Sequence, residues 1–133
     1  MKQIGVLFFA VLLMTSCASP FVRDAGLDKF APRKAEQSLS SGIQAYEDGE
    51  YGYAVRLLQN ALSARLLLIS DQVTAHKYLA FIHCAQAQEE PCRNAFRKAL
   101  ALNPGFELSA AESGHPSWGP VFKSLKQSMK KKR

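Results

Sequence analysis

The chain has no apolar run long enough to cross a membrane. Its longest run, IGVLFFAVLLM, covers eleven residues from Ile4 to Met14, about half of the roughly twenty that a transmembrane helix needs. The sequence also has no glycine-rich phosphate loop, no nucleophile in a strand-turn-helix context, and no histidines and cysteines at a metal-ligand spacing. These absences exclude a membrane-spanning helix and argue against an enzyme or a metalloprotein. We therefore predict no catalytic residue, no metal, no cofactor and no small-molecule substrate.

Basic residues are few outside the C-terminus. The chain has 17 Lys and Arg against 11 Asp and Glu, but six of the 17 lie in the last eleven positions and one more is Lys2, which leaves ten basic residues against eleven acidic ones. No basic stripe with interleaved aromatics is present, so we predict no nucleic-acid partner. The tail KQSMKKKR either contacts anionic lipid or forms a solvated end. From the sequence alone the solvated end is favoured.

The short apolar run is typical of a secretory signal, because a basic start precedes it and small residues follow it. The motif LLMTSC resembles a bacterial lipobox, with Met14 at the position where Leu is usual. The resemblance implies that residues 1–16 are a signal peptide and that Cys17 carries a covalent lipid. It also implies an outer-membrane anchor facing the periplasm, since Ala18 rather than Asp follows the cysteine. The alternative is a secreted protein with a chance cysteine.

Residues 17–34 are predicted to be the lipidated cysteine and a flexible linker. The stretch ASPFVRDAGLDKFAPR has two prolines, a glycine and no sustained apolar period. As a flexible coil it would span roughly 20 to 25 Å. The remaining residues, 35–133, are enough for one small domain that stands off the membrane.

The body of the chain is predicted to be all-α, because apolar and small residues recur at helical spacing from Ala35 to Asn103. We expect helices at residues 35–48, 52–69, 72–87 and 91–102. The first two predicted helices and the turn between them contain residues at the spacing of a tetratricopeptide repeat (TPR): Gly42, Gly49, Tyr51, Ala54, Leu58, Ala61 and Leu62. A second copy of the pattern follows: Leu79, Ala80, Cys92, Phe96, Ala99, Leu100 and Pro104.

The repeat pattern predicts which residues pack the helices together. Small residues at Gly42 and Ala54 are expected to face each other, and the same twelve-residue interval separates Ala80 from Cys92. Ala61 and Ala99 are 38 residues apart, four more than the usual 34. We expect the four additional residues to form an added turn of the second helix, within RLLLIS.

Two repeats need a cover on their exposed face. After the loop FELSAAESGHP, an apolar stripe predicts a C-terminal capping helix with Ser117 as its N-cap; its members are Trp118, Val121, Phe122, Leu125 and Met129. The predicted fold is therefore two TPR-like helical hairpins plus a capping helix, arranged as an α-α superhelix. Its packing residues are Gly42, Ala54, Ala61, Ala80, Phe96, Ala99 and Trp118.

Two cysteines remain besides Cys17. Cys84 ends one predicted helix and Cys92 begins the next, so a helical hairpin brings them close enough for a disulfide in an oxidising compartment. Closing so short a loop would stabilise the fold by roughly 2 to 3 kcal/mol. The alternative is two buried thiols that serve as small core residues. The sequence leaves both possibilities open.

Helical repeats hold peptides or partner helices on their concave face. The candidate residues for this role are Tyr46, Tyr53, Lys77, Tyr78 and Phe81. A core position is the alternative for several of them.

The separate motifs together resemble a known family. A lipobox is followed by YEDGEYGYAVRLLQNAL, AHKYLAFIHC, FRKALALNPGFELS and GHPSWGPVFKSLK, and this combination is similar to the TPR lipoproteins associated with bacterial type VI secretion systems. The resemblance covers nearly all of the chain after Cys17. It implies a non-enzymatic scaffold at the cell envelope, bound to protein partners of the secretion complex. It supplies no contact residues.

One alternative function uses the same architecture. A pilus or outer-membrane protein assembly lipoprotein would use the groove as a chaperone for extended substrate segments. Binding of unfolded peptides would favour this alternative, whereas a single folded partner would favour the scaffold. An enzyme of cell-wall turnover is a more distant possibility.

Overall fold

The computed structural model describes residues 33–132, and these form six helices and no strand. The all-α prediction is therefore confirmed for this part of the chain. The helices are α1 (Lys34–Glu47), α2 (Tyr51–Ser63), α3 (Ile69–Ala85), α4 (Glu89–Leu102), α5 (Ala110–Ser113) and α6 (Gly119–Lys131). The predictions made for residues 1–32, including the lipid site at Cys17 and most of the linker, lie outside the described residues.

Short turns join α1 to α2 and α3 to α4, and each pair packs along its length as a helical hairpin. The two turns, residues 48–50 and 86–88, therefore lie at one end of the bundle, which we call the turn end. The opposite end, which we call the loop end, holds the first turn of α1, the connection between α2 and α3, and the last turn of α4. The first turns of α1 and α3 are neighbours there, since Glu36 and Asp71 line one shallow groove.

The two hairpin turns have the same backbone geometry at an offset of 38 residues. Both are Schellman motifs. In each, a residue in the left-handed conformation donates its N–H to the carbonyl three residues earlier, and the next residue donates its N–H to the carbonyl five residues before itself. Gly49 (φ 78°) makes this motif with hydrogen bonds of 3.0 and 2.8 Å, and Ala87 (φ 56°) makes it with bonds of 3.1 and 2.8 Å. The internal repeat seen in the sequence thus extends to the hydrogen bonds of its turns.

The residues expected to pack the helices together are all buried: Gly42, Ala54, Ala61, Ala80, Phe96, Ala99 and Trp118. Gly42 lets the two helices of the first hairpin approach closely, because a Cβ added there would lie 2.9 Å from Cγ of Leu58 and 3.2 Å from its backbone nitrogen. Its nearest neighbour across the hairpin is therefore Leu58, one turn beyond the expected Ala54. Leu58 and Phe96, which are 38 residues apart, are equivalent in burial, since both have 0% exposure.

The second helix is shorter than predicted. We expected it to continue to residue 69 through an added turn, but α2 ends at Ser63 and Arg65 adopts φ 64°. The buried stripe of α2 explains the end: it passes through Leu58 and Ala61, so a continued helix would place the charged Arg65 on the same face. Instead the chain turns, Leu66 enters the core at 3% exposure, and its carbonyl accepts a hydrogen bond from the side chain of Gln72 at 2.9 Å.

The C-terminal helix packs over the second hairpin and runs in the same direction as α4. Near its start, the ring of Phe122 lies 5.2 Å from that of Phe96. Further along, Met129 lines a small pocket with Leu100 and Pro104 at the end of α4. The last turn of α6 therefore lies at the loop end. In an array of alternating antiparallel helices, the helix after α4 would run in the opposite direction to α4. Here α6 runs parallel to α4, because the connector 103–118 returns the chain to the turn end before α6 begins.

The start of α6 also differs from the prediction. Its N-cap is Trp118, whose side chain does not cap the helix, and not Ser117. The N–H of Ser117 instead donates to Nδ1 of His115 at 3.2 Å, because residues 115–118 form a turn that precedes the helix. None of the helices between residues 33 and 132 is long and apolar enough to span a membrane.

Candidate partner-binding surface

Four of the five predicted partner-binding residues lie together on the first helices of the two hairpins. Tyr46 projects from the end of α1, and its ring centroid is 5.0 Å from that of Tyr78 on α3. Lys77 and Phe81 flank Tyr78 on the same helix. Tyr53 lies apart: it is 48% exposed on α2, where the guanidinium of Arg56 lies 5.5 Å from its ring.

We define the tyrosine surface as the half-buried rings of Tyr46 and Tyr78 together with Lys77. Phe81 lies beneath it and is only 2% exposed, so it supports the surface and does not offer a contact. Its ring stacks on Trp118 with centroids 4.3 Å apart. Of the five candidates, Phe81 therefore belongs to the core, which is the alternative that the sequence left open.

Lys77 is held by the C-terminal part of the chain. Its Nζ lies 2.6 Å from Oε1 of Glu112, and the same ammonium group is 4.9 Å from the ring of Tyr78. The ammonium is therefore paired with both a carboxylate and an aromatic ring. The tyrosine surface consequently presents two phenol rings around a neutralised charge, and not a free cation.

Glu112 is positioned by its own short helix. Ser109 and Glu112 form a capping box at α5: the serine hydroxyl accepts from the N–H of Glu112 at 3.2 Å, and Oε2 of Glu112 accepts from the N–H of Ser109 at 2.9 Å. Burial opposes the charged carboxylate, but hydrogen bonds from Lys77 and Ser109 and the charge of Lys77 outweigh it. The pKa of Glu112 therefore lies below its ordinary value.

The segment ESGHPSW folds around the indole of Trp118. Its Nε1 donates to the backbone carbonyl of Glu112 at 2.8 Å, and the ring of His115 stacks on it with centroids 3.4 Å apart. Trp118 thus links the tyrosine surface, through Phe81, to α5, the short helix that carries Glu112. The sequence analysis treated residues 106–116 as a plain loop, gave Glu112 no role and did not predict the contact of His115 with Trp118. A visible signal was available for Glu112, because S-x-x-E is the capping-box pattern.

The phenol of Tyr46 is partly enclosed at the tyrosine surface. Burial raises its pKa, and neighbouring Tyr51, Tyr78 and Glu112 raise it further. The hydroxyl is therefore protonated throughout the physiological range and able to donate a hydrogen bond.

The cysteines lie at the turn end. Cys84 and Cys92 are joined as a disulfide across the α3–α4 turn, with Cα atoms 5.0 Å apart. Cys92 is 1% exposed and occupies the position that Ala54 has in the first hairpin.

A second groove lies on the opposite side, between α2, α3 and α4. Its lining includes His76, His83 and Lys98. Burial, followed by the nearby charge of Lys98, lowers the pKa of His76, so its ring is neutral at pH 7. Within residues 33–132 no group of three or more side chains is arranged to hold a metal ion.

Comparison with protein-family models, curated proteins and solved structures finds no match to this chain. The surface must therefore be interpreted from its own geometry.

Proposed function

We propose that this protein is a membrane-anchored TPR adaptor, a lipoprotein accessory to a type VI secretion system that binds protein partners at the cell envelope. The proposal combines the lipobox-like motif at Cys17, the 38-residue repetition of the hairpins and the family resemblance of the sequence motifs. It includes an outer-membrane anchor facing the periplasm and no catalytic activity.

The observation that carries the binding proposal is the tyrosine surface. Tyr46 and Tyr78 come from equivalent helices of the two hairpins, and both remain half-exposed although their rings contact each other. Tyrosines of this kind are frequent in protein interfaces, because one ring supplies both apolar area and a polar hydroxyl. With Lys77 already paired, the surface suits a partner segment that offers apolar side chains and hydrogen-bond acceptors.

The first test is affinity purification of the tagged full chain from detergent-solubilised envelopes after mild crosslinking. We expect stoichiometric recovery of membrane components of the secretion machine. A Cys17→Ser variant should recover less of them, because the tether concentrates the protein at the membrane.

The matched test of the surface compares Tyr46→Ala/Tyr78→Ala with Tyr53→Ala. The double variant should lose at least about tenfold in partner recovery if the two rings are interface hot spots, whereas Tyr53→Ala should retain it. If both variants recover the same amount of partner, the partner binds a surface other than the tyrosine surface. Recovery of pilus or outer-membrane assembly proteins, or of many unfolded substrates, would support the biogenesis alternative instead.

A further inference from the structure

Three consecutive large apolar side chains are exposed at the loop end. Leu67, Leu68 and Ile69 are 60%, 61% and 56% exposed. Isolated exposed apolar residues are common on protein surfaces, but a contiguous group marks an interaction site. The group is fixed in place, because Leu66 before it is buried and Gln72 holds the carbonyl of Leu66.

The apolar group shares its end of the bundle with two other features. The chain from Cys17 enters the body there, at Arg33 and the first turn of α1. The last turn of α6 ends there with Lys130 and Lys131, since Lys130 lines the pocket that also contains Pro104 after α4.

The two ends of the bundle differ in charge. The turn end carries acidic residues in exposed positions, namely Glu47, Asp48, Glu50, Glu89 and Glu90. The loop end carries mainly basic residues in exposed positions, namely Arg33, Lys34, Arg65, Lys130, Lys131 and Lys132. Its acidic residues are Glu36 and Asp71, in the first turns of α1 and α3, and Glu107, which follows α4 and forms an ion pair with Lys126. The loop end therefore matches an anionic surface.

We propose that the loop end docks on an anionic lipid bilayer, with Leu67, Leu68 and Ile69 entering the boundary between headgroups and acyl chains. Arg65 and the lysines of the last turn of α6 contact the headgroup phosphates. Each such cation contributes about 1 kcal/mol near an anionic surface. A bilayer fits better than a protein, because three side chains on a narrow loop offer far less than the roughly 1,000 Å² that a stable protein interface buries.

This proposal goes beyond the adaptor function and changes the interpretation of the basic tail. The sequence alone favoured a solvated end. The structure instead brings Lys130 and Lys131 to the same end as the exposed loop, so the two act on one surface.

The test measures how deeply each end of the bundle lies in a membrane. The full chain is reconstituted into phosphatidylcholine and phosphatidylglycerol vesicles that contain brominated acyl chains, which quench nearby tryptophan fluorescence. Leu68→Trp places a probe at the loop end, and Gln86→Trp places a matched probe at the turn end. Trp118 is common to both variants and is buried. We expect about twofold more quenching for Leu68→Trp, because interfacial apolar side chains lie roughly 5–10 Å into the headgroup and acyl boundary.

Two further measurements define the outcome. Replacing Lys130, Lys131 and Lys132 by Gln should reduce the quenching of the Leu68→Trp probe in anionic vesicles. Equal quenching of the two probes would overturn the proposal. So would a blue shift of the Leu68→Trp emission that depends on protein concentration and not on bromination, since this would indicate contact with a second copy. Neither result depends on partner recruitment, so the proposed adaptor function is tested separately.

Discussion

The hairpin α1–α2 and the hairpin α3–α4 have turns with the same hydrogen bonds, but different interactions hold their helices together. In the first, Gly42 lets the backbone of α1 approach Leu58 closely. In the second, a disulfide joins the helices and an aromatic cluster including Phe81 and Trp118 covers them. One backbone arrangement is thus stabilised in two ways. The first hairpin should be sensitive to added volume, and the second should be sensitive to lost side chains and lost cross-links.

The largest effect is expected at Trp118. Trp118→Ala removes the ring that stacks on Phe81 and donates to Glu112, so it should lower the free energy of unfolding by about 3–5 kcal/mol. Tyr53→Ala removes an exposed ring from the first hairpin and should change it by less than about 0.5 kcal/mol. Urea denaturation of both purified variants measures the difference. Similar losses would mean that the second hairpin does not depend on its aromatic cover.

The disulfide should have the next largest effect. Reduction of the bond between Cys84 and Cys92 should lower the free energy of unfolding by about 2–3 kcal/mol, because the unfolded chain regains the entropy of an open loop. Urea denaturation with and without reductant tests this, in a Cys17→Ser background that leaves only these two cysteines. A thiol count on the denatured, unreduced protein provides the control, and two free thiols would contradict the bond.

The preceding changes remove a side chain or a cross-link, whereas Gly42→Ala tests the first hairpin by adding a methyl group. A Cβ would lie 2.9 Å from Cγ of Leu58 and 3.2 Å from its backbone nitrogen, so the helices must separate at a cost of about 1–3 kcal/mol. Gly52→Ala is the matched control, because a Cβ there meets nothing within 4 Å. It should stabilise α2 by up to about 1 kcal/mol. Thermal unfolding of both variants gives the comparison, and equal shifts would disprove the close approach.

The two turns allow a smaller and more exact comparison. Gly49→Ala places a Cβ at φ 78° and should cost about 1 kcal/mol. Ala87→Gly removes a Cβ at φ 56° from the equivalent turn and should be neutral or stabilising by up to about 1 kcal/mol. If the turns are equivalent, the two substitutions have opposite signs in urea denaturation. Changes of the same sign would show that the turns are not energetically equivalent.

The smallest effect concerns the ion pair between Lys77 and Glu112. Because the folded state lowers the pKa of Glu112, the pair stabilises the fold above the ordinary pKa of 4.5, and this contribution is lost as the pH falls through the folded value. Glu112→Gln keeps the capping box and removes the charge. At pH 7 the variant should be less stable by about 1 kcal/mol or less. The difference should disappear in acid, and a difference that persisted there would exclude the ion pair as its cause.

Local patterns predicted most of the helical architecture. The bounds of α1, α3 and α4 differ from the predicted ones by at most three residues, because capping, turn and periodicity signals act within one helical turn. The predicted end of α2 was wrong because the apolar run RLLLIS resembles a helix. The chain instead turns there, so that Leu66 is buried in the core and its carbonyl accepts a hydrogen bond from Gln72 of α3.

The candidate site depended more strongly on tertiary structure. Tyr46, Lys77 and Tyr78 could be chosen from their positions in the repeat, but that pattern did not separate Phe81 from them as a core residue. Lys77 and Glu112 are 35 residues apart, and only the return of the connector beside α6 brings them together. The direction of α6 likewise depends on tertiary contacts, because Phe122 packs on Phe96 and Met129 lies near Leu100. The periodicity of the sequence does not specify these contacts.

The disulfide has a mechanical consequence. When the chain is pulled at Arg33 and at its C-terminal helix, the first hairpin has no disulfide to limit its extension, because Cys84 and Cys92 both lie in the second hairpin. When the second hairpin extends in turn, the eight-residue separation between its cysteines stays closed, so the stretched chain is shorter by roughly 20–25 Å than the reduced one. A protein held by its N-terminus would therefore keep the turn between α3 and α4 closed under load, whereas the first hairpin has no covalent limit to its extension.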